Sequence, residues 1–246
     1  MKTMHLVMKL TVTLAVVGLA GNTRGASITV GATAPATDVI IQQLANETWD
    51  DIRWTANSTA GWKELRQTFT APSNFTLDKI SYLVEQDNPF PTAGLTMRVD
   101  VLSTTNVDTP TGTSLLGPEN GVTPSFSLDT KTWMTLDVAN VALTSGNVYV
   151  LVFGFDSLNT SIPHRLGNGD DTTGGVWYDT NDPYTGGKAF RFLNGANSTA
   201  SGWTLTSGRD LAFVIQGFET VGGVPEPSSV FLLAIGGLLV WRRVRK

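Results

Sequence analysis

Trp177, Tyr178 and Tyr184 stand within eight positions of one another, interleaved with Asp179, Asn181 and Asp182, in the turn-rich stretch from Val176 to Gly187. A sugar offers apolar C–H faces and a hydroxyl rim, so flat rings flanked by carboxylates and amides are what a binding surface for it needs. The alternative account of the same residues is a long connection whose aromatic side chains close the end of a fold. Hard oxygen donors crowd the same region: Asn168, Asp170, Asp171, Asp179, Asn181 and Asp182 fall within fifteen positions. Calcium takes about six to eight oxygens, so Asp170, Asp171, Asp179 and Asp182 are candidate ligands if the chain brings them together. The run has no EF-hand spacing, and Gly167-Asn168-Gly169-Asp170 occurs once instead of as an array.

Catalytic groups are sparse. His164 is the one histidine beyond the first 26 residues, and its place beside Arg165 suits a strand or loop residue better than a general base. There is no Gly-x-Ser-x-Gly elbow, no His-Glu-x-x-His and no phosphate loop, so no catalytic residue is assigned. A pair of carboxylates for glycoside cleavage stays open, since twenty acidic residues in the body make some pair inevitable. The chain has no cysteine, which removes disulfides and thiolate-bound zinc from consideration.

The elements that must position these groups lie between two unlike ends. Of 246 residues, 41% are hydrophobic and 15% charged, a globular composition with enough chain to bury a large core. Between Ser27 and Val224 there are 10 basic and 20 acidic residues, so the body carries about −10 and is a poor partner for nucleic acid or anionic lipid. Alternation dominates this body, and no stretch sustains a helical apolar period over three turns. Strands are expected at Gln67 to Ala71, Leu77 to Val84, Leu95 to Leu102, Trp133 to Val138, Val148 to Phe155, Ala189 to Leu193 and Leu211 to Phe218. A short piece of helix is expected near Asp38 to Leu44. Gly, Pro, Asn and Asp clusters separate the strands, and spacing of this kind suggests a single all-β sandwich, jelly-roll-like, over residues 27–219. Ala56-Asn57-Ser58-Thr59-Ala60-Gly61-Trp62 recurs at Ala196 to Trp203 with one residue inserted. Two similar turns would account for it, their tryptophans entering adjoining strands and packing on the core. A pair of exposed aromatic platforms for a sugar ring is the other account.

At the N-terminus Lys2 and Lys9 precede an apolar run from Leu10 to Ala20 that ends in small and polar residues. Eleven helical residues reach only about 17 Å, so residues 1–26 are expected to be a helical secretory signal peptide and not a permanent span. Cutting after Ala20 would use the small pair Gly18 and Ala20; cutting after Ala26 would put Arg24 where a small residue is wanted. After a linker at residues 220–223, the tail reads Val224-Pro225-Glu226-Pro227-Ser228-Ser229, then the apolar run Val230 to Trp241, then Arg242-Arg243-Val244-Arg245-Lys246. Twelve helical residues span about 18 Å, and their summed insertion energy of roughly −2 to −5 kcal/mol makes a marginal, transient membrane anchor. The basic end would stay on the cytoplasmic side, leaving Pro225-Glu226-Pro227 on the exported side.

Tripeptide, short apolar segment and basic cluster in this order resemble the PEP-CTERM family of bacterial sorting signals at residues 224–246. The resemblance implies recognition of Val224, Pro225, Glu226 and Pro227 by a membrane protease-transferase, an exosortase, in bacteria that make exopolysaccharide. The body, through Gln67 to Ala71, Trp133 to Asp137 with Leu143 and Asn147 to Leu151, and Asp210 to Ile215, is similar to the exported β-sandwich domains that precede such signals, and more loosely to galactose-binding-like modules. The resulting expectation is an exported cell-surface or matrix protein that associates with exopolysaccharide without catalysing a reaction. A secreted polysaccharide hydrolase or lyase is the alternative.

Overall fold

The computed structural model describes residues 25–50, 52–54, 62–86, 93–155, 164–166, 175–181, 184–194, 202–205 and 209–220. The tail helix, both copies of the Ala-Asn-Ser-Thr turn and all of the expected signal helix but Gly25 and Ala26 lie outside these residues; those two are not helical, and Ala26 is buried in the core. Among the described residues no helix is long and apolar enough to cross a membrane.

All described pairings are antiparallel, and the strands form two sheets. The first contains β1 (Ser27–Gly31), β2 (Val39–Gln43), β3 (Thr48–Asp50), β6 (Phe75–Glu85), β10 (Thr132–Leu143), β13 (Gly175–Asp179), β16 (Asp210–Leu211) and β17 (Phe213–Glu219). The second contains β4 (Ile52–Trp54), β5 (Trp62–Thr70), β7 (Thr96–Thr104), β8 (Thr113–Ser114), β9 (Glu119–Val122), β11 (Val148–Phe155), β12 (His164–Leu166), β14 (Ala189–Asn194) and β15 (Gly202–Leu205). β6 is central to the first sheet, held between β10 on one side and β17 and β13 on the other. β11 is central to the second, between β5 and β7.

Side-chain alternation explains why these runs fold as they do. On β7, Met97, Val99 and Val101 enter the common core while Arg98 and Asp100 turn to the opposite face. On β11, Tyr149, Leu151, Phe153 and Phe155 face inward, and Val150 and Val152 form a second cluster with Leu102 on the outer face. That outer cluster is covered by the β7–β8 connection: Thr68 Oγ1 donates to the Val107 carbonyl at 2.9 Å, and Arg66 Nη1 to that of Pro110 at 2.7 Å. A strand apolar on both faces therefore finds cover on both. The sheets join where Tyr82 of β6 and Phe153 of β11, both fully buried, bring ring centroids to 4.2 Å.

The segment Asp38 to Leu44, expected to include helix, holds strand β2 at Val39–Gln43, paired with β17 from Gln43↔Phe213 to Val39↔Gln216. Val39, Ile40 and Ile41 are β-branched, and β2 has β17 as partner, so pairing and the burial of Ile41 in the core outweigh a weak local helical pattern. Trp62 opens β5 opposite Asn194 of β14, and Trp203 lies in β15 opposite Phe192. The two tryptophan strands thus flank one shared strand instead of adjoining each other.

Candidate functional site

The aromatic stretch does not form one loop. Its first part is β13, which pairs with β3 at Trp177↔Trp49, with β6 at Val176↔Val84 and with β16 at Tyr178↔Leu211. Neighbours in a strand point to opposite faces, so Trp177 and Tyr178 part company. Trp177 is half-buried on the outer face of the first sheet, against the cluster of Leu83, Trp133, Ala212 and Val214. Its indole Nε1 donates to Glu85 Oε2 at 3.1 Å, and the Lys131 ammonium sits 3.5 Å from its ring centroid. Tyr178 is buried in the main core, with the Arg209 guanidinium 4.7 Å from its ring centroid. Tyr184 is half-buried and meets Phe213 edge-on at 5.4 Å. Burial pushes its hydroxyl up to about 12.

Among the polar candidates, Asp179 is buried and its carboxylate accepts the Asn181 amide N–H at 2.7 Å, an Asx turn. Asn181 is exposed; its Nδ2 donates to Glu47 Oε1 at 2.9 Å, and the Thr180 hydroxyl donates to the other oxygen of Glu47. Lys131 also donates to the Asn46 side chain. The surface the structure assembles is therefore a half-buried indole bordered by Glu85 and Lys131, with Lys131 reaching Asn46 and Asn181 reaching Glu47. Asp170, Asp171 and Asp182 lie outside the described residues, so of the four candidate calcium ligands only Asp179 is placed. Among the described residues no three His, Cys, Asp or Glu side chains gather as a metal site. His164 lies on β12 opposite Trp54 of β4.

A second group of polar residues gathers on the other sheet. On the outer face of the second sheet, Glu64 and Arg66 of β5 stand across β11 from Arg98 and Asp100 of β7. Glu64 is 1% exposed; its Oε1 accepts Arg66 Nε at 2.7 Å and its Oε2 accepts Arg98 Nη1 at 3.3 Å. Gly154 of β11 lies between them and makes the room. A Cβ there would stand 3.2 Å from Glu64 Cγ and 3.5 Å from its Oε2. Burial pulls the Arg66 guanidinium below its usual value, opposed by Glu64 beside it. Burial also raises the Asp100 carboxyl, against hydrogen bonds from Ser114 Oγ at 2.9 Å and the Val101 N–H at 2.7 Å.

A carboxyl whose folded value is raised releases its proton more easily unfolded, so stability is lost as pH rises from the ordinary Asp range near 4 through the folded value. Asp100→Asn keeps an oxygen for both donors and removes the titration. The variant is expected to gain on the parent as pH climbs through that window, read from urea unfolding at a series of pH values. A parent that gains on the variant over the same range would show the carboxylate to be stabilising.

The chain leaves the sandwich at a third place. β17 lies between β2 and β6, and the last described residue, Thr220, donates its N–H to the Asn74 carbonyl at 3.0 Å. Ser73 Oγ donates to Glu219 Oε1 at 3.1 Å. Beside this exit lies an open groove of about 550 Å³ lined by Asp38, Val39, Ile40, Pro72, Ser73 and the end of β17. Phe218 on its rim is 52% exposed.

Compared with known proteins, residues 223–246 match the PEP-CTERM protein-sorting motif. The match covers the tail and not the sandwich. No curated protein matches the chain. The motif supports an exported protein, sorted by an exosortase to the cell envelope or surface.

Proposed function

We propose that this exported chain is a cell-surface or extracellular-matrix protein whose β-sandwich associates with exopolysaccharide, by non-catalytic binding or in a structural role. The observation that carries the reading is the order of parts: the sorting motif starts at residue 223, four positions beyond the last strand, so the sandwich is the cargo that the motif delivers. The surface around Trp177 supplies what a glycan would use, an indole with Lys131, Glu85, Asn46, Glu47 and Asn181 in its surroundings. The acidic body favours neutral or basic sugars, or acidic ones bridged by a cation, over bare polyanions.

Co-sedimentation of the protein with exopolysaccharide from cells that produce it tests the reading. The parent should sediment with the glycan and release neither reducing ends nor unsaturated products. Trp177→Ala should weaken binding roughly tenfold. It should also lower stability by about 2 kcal/mol, near half the cost of truncating a fully buried ring, so binding is compared well below both melting transitions. Released products would replace this reading by a hydrolase or lyase, and full binding by Trp177→Ala would remove the indole surface from it.

A further inference from the structure

At the exit pole of the sandwich, hydrogen bonding holds the chain as far as Thr220, and Pro225 follows only five residues later. Five residues reach at most about 18 Å. An enzyme that acts at Pro225-Glu226-Pro227 on the folded protein must therefore come within that distance of this pole.

The pole is shaped for contact. Its groove of about 550 Å³ is lined by Val39, Ile40 and Pro72, by the 52%-exposed Phe218, and by the acidic residues Asp38 and Glu219. An anionic bilayer is a poor occupant, because these two acids and the acidic body would face it. We infer that the groove is a docking surface for the extracytoplasmic face of the processing exosortase, which would insert an apolar side chain beside Phe218 and bring basic groups to Asp38 and Glu219. The inference rests on the sorting reading above and adds to it: the enzyme reads the folded end of the body as well as the tripeptide. The short tether then acts as a ruler, keeping the effective concentration of the docked pole high while the tail occupies the active site.

The test follows conversion of full-length to tail-free protein in native cells by pulse labelling and intact-mass analysis. Three chains are compared: the parent, Phe218→Ser, and a chain with a ten-residue Gly/Ser spacer inserted between Thr220 and Val221. Docking predicts that Phe218→Ser is converted roughly tenfold more slowly, with the rates compared well below both melting transitions because a half-exposed ring still contributes to stability. The spacer chain should also slow, as the longer tether dilutes the docked pole. Conversion of both altered chains at the parent's rate would overturn docking while leaving sorting intact. If Phe218→Ser proves unstable, the spacer chain alone decides. A parent that never loses its tail would overturn the sorting reading itself.

Discussion

Asp210→Ala is expected to lower the unfolding free energy by about 3 to 5 kcal/mol, because it removes the acceptor at the centre of a buried polar staple. Asp210 lies on β16 of the first sheet and is fully buried. Its Oδ1 accepts Gln67 Nε2, from β5 of the second sheet, at 2.7 Å. Its Oδ2 accepts the Tyr184 N–H at 2.9 Å, and Gln67 returns a bond by accepting the Leu211 N–H at 2.9 Å. Gln67 is itself fully buried, so the staple crosses between the sheets inside the protein. Truncation removes the acceptor of the Tyr184 N–H and of one of the two Gln67 amide hydrogens, the Gln67 Nε2 keeping its bond to the Thr68 carbonyl at 3.1 Å, and each lost bond costs about 1 to 3 kcal/mol. Gly187 shows how tightly the same corner is built: a Cβ there would fall 1.6 Å from the Thr68 carbonyl oxygen. Urea unfolding measures the loss. A change under about 1 kcal/mol would mean that the corner relaxes and finds other partners.

Glu64→Ala is the second large effect, expected to cost about 3 kcal/mol. The carboxylate is the shared acceptor of Arg66 and Arg98, whose side chains are 12% and 28% exposed. Without it two positive charges face each other across β11 over the gap left at Gly154. Arg98→Ala should cost less, since that guanidinium is the more exposed and its bond, at 3.3 Å, the longer. Equal losses from the two variants would show that packing, not charge pairing, dominates this face.

The long strands were legible because each carries a period that only a half-buried or buried sheet explains. Val148 to Phe155 forms β11 at the expected bounds, and Met97, Val99 and Val101 lie inward as alternation requires. Strands of two to four residues, such as β8, β12 and β16, hold too few positions to show a period and exist only through their partners. The aromatic stretch was legible as a group of residue types and not as a surface. Once Gly175 to Asp179 is a strand, adjacent Trp177 and Tyr178 must separate to opposite faces, and a loop reading carries no such rule. The Glu64, Arg66, Arg98 and Asp100 group left a partial trace, since charged residues alternate with core positions along β5 and β7. Its meaning depends on β11 lying between those strands in a particular register, which no local pattern states. The Gln67 to Asp210 staple spans 143 positions and left none. The sorting tail is the opposite case, a contiguous motif whose chemistry is local, and it was read directly from the chain.

That tail carries the central claim, and intact-mass analysis of the protein recovered from the surface and medium of native cells tests it most directly. The account predicts a mass that lacks the N-terminal leader and everything beyond the Pro225-Glu226-Pro227 region, with the sandwich whole. Protein that still carries Arg242 to Lys246 on most of its surface-exposed molecules would contradict it.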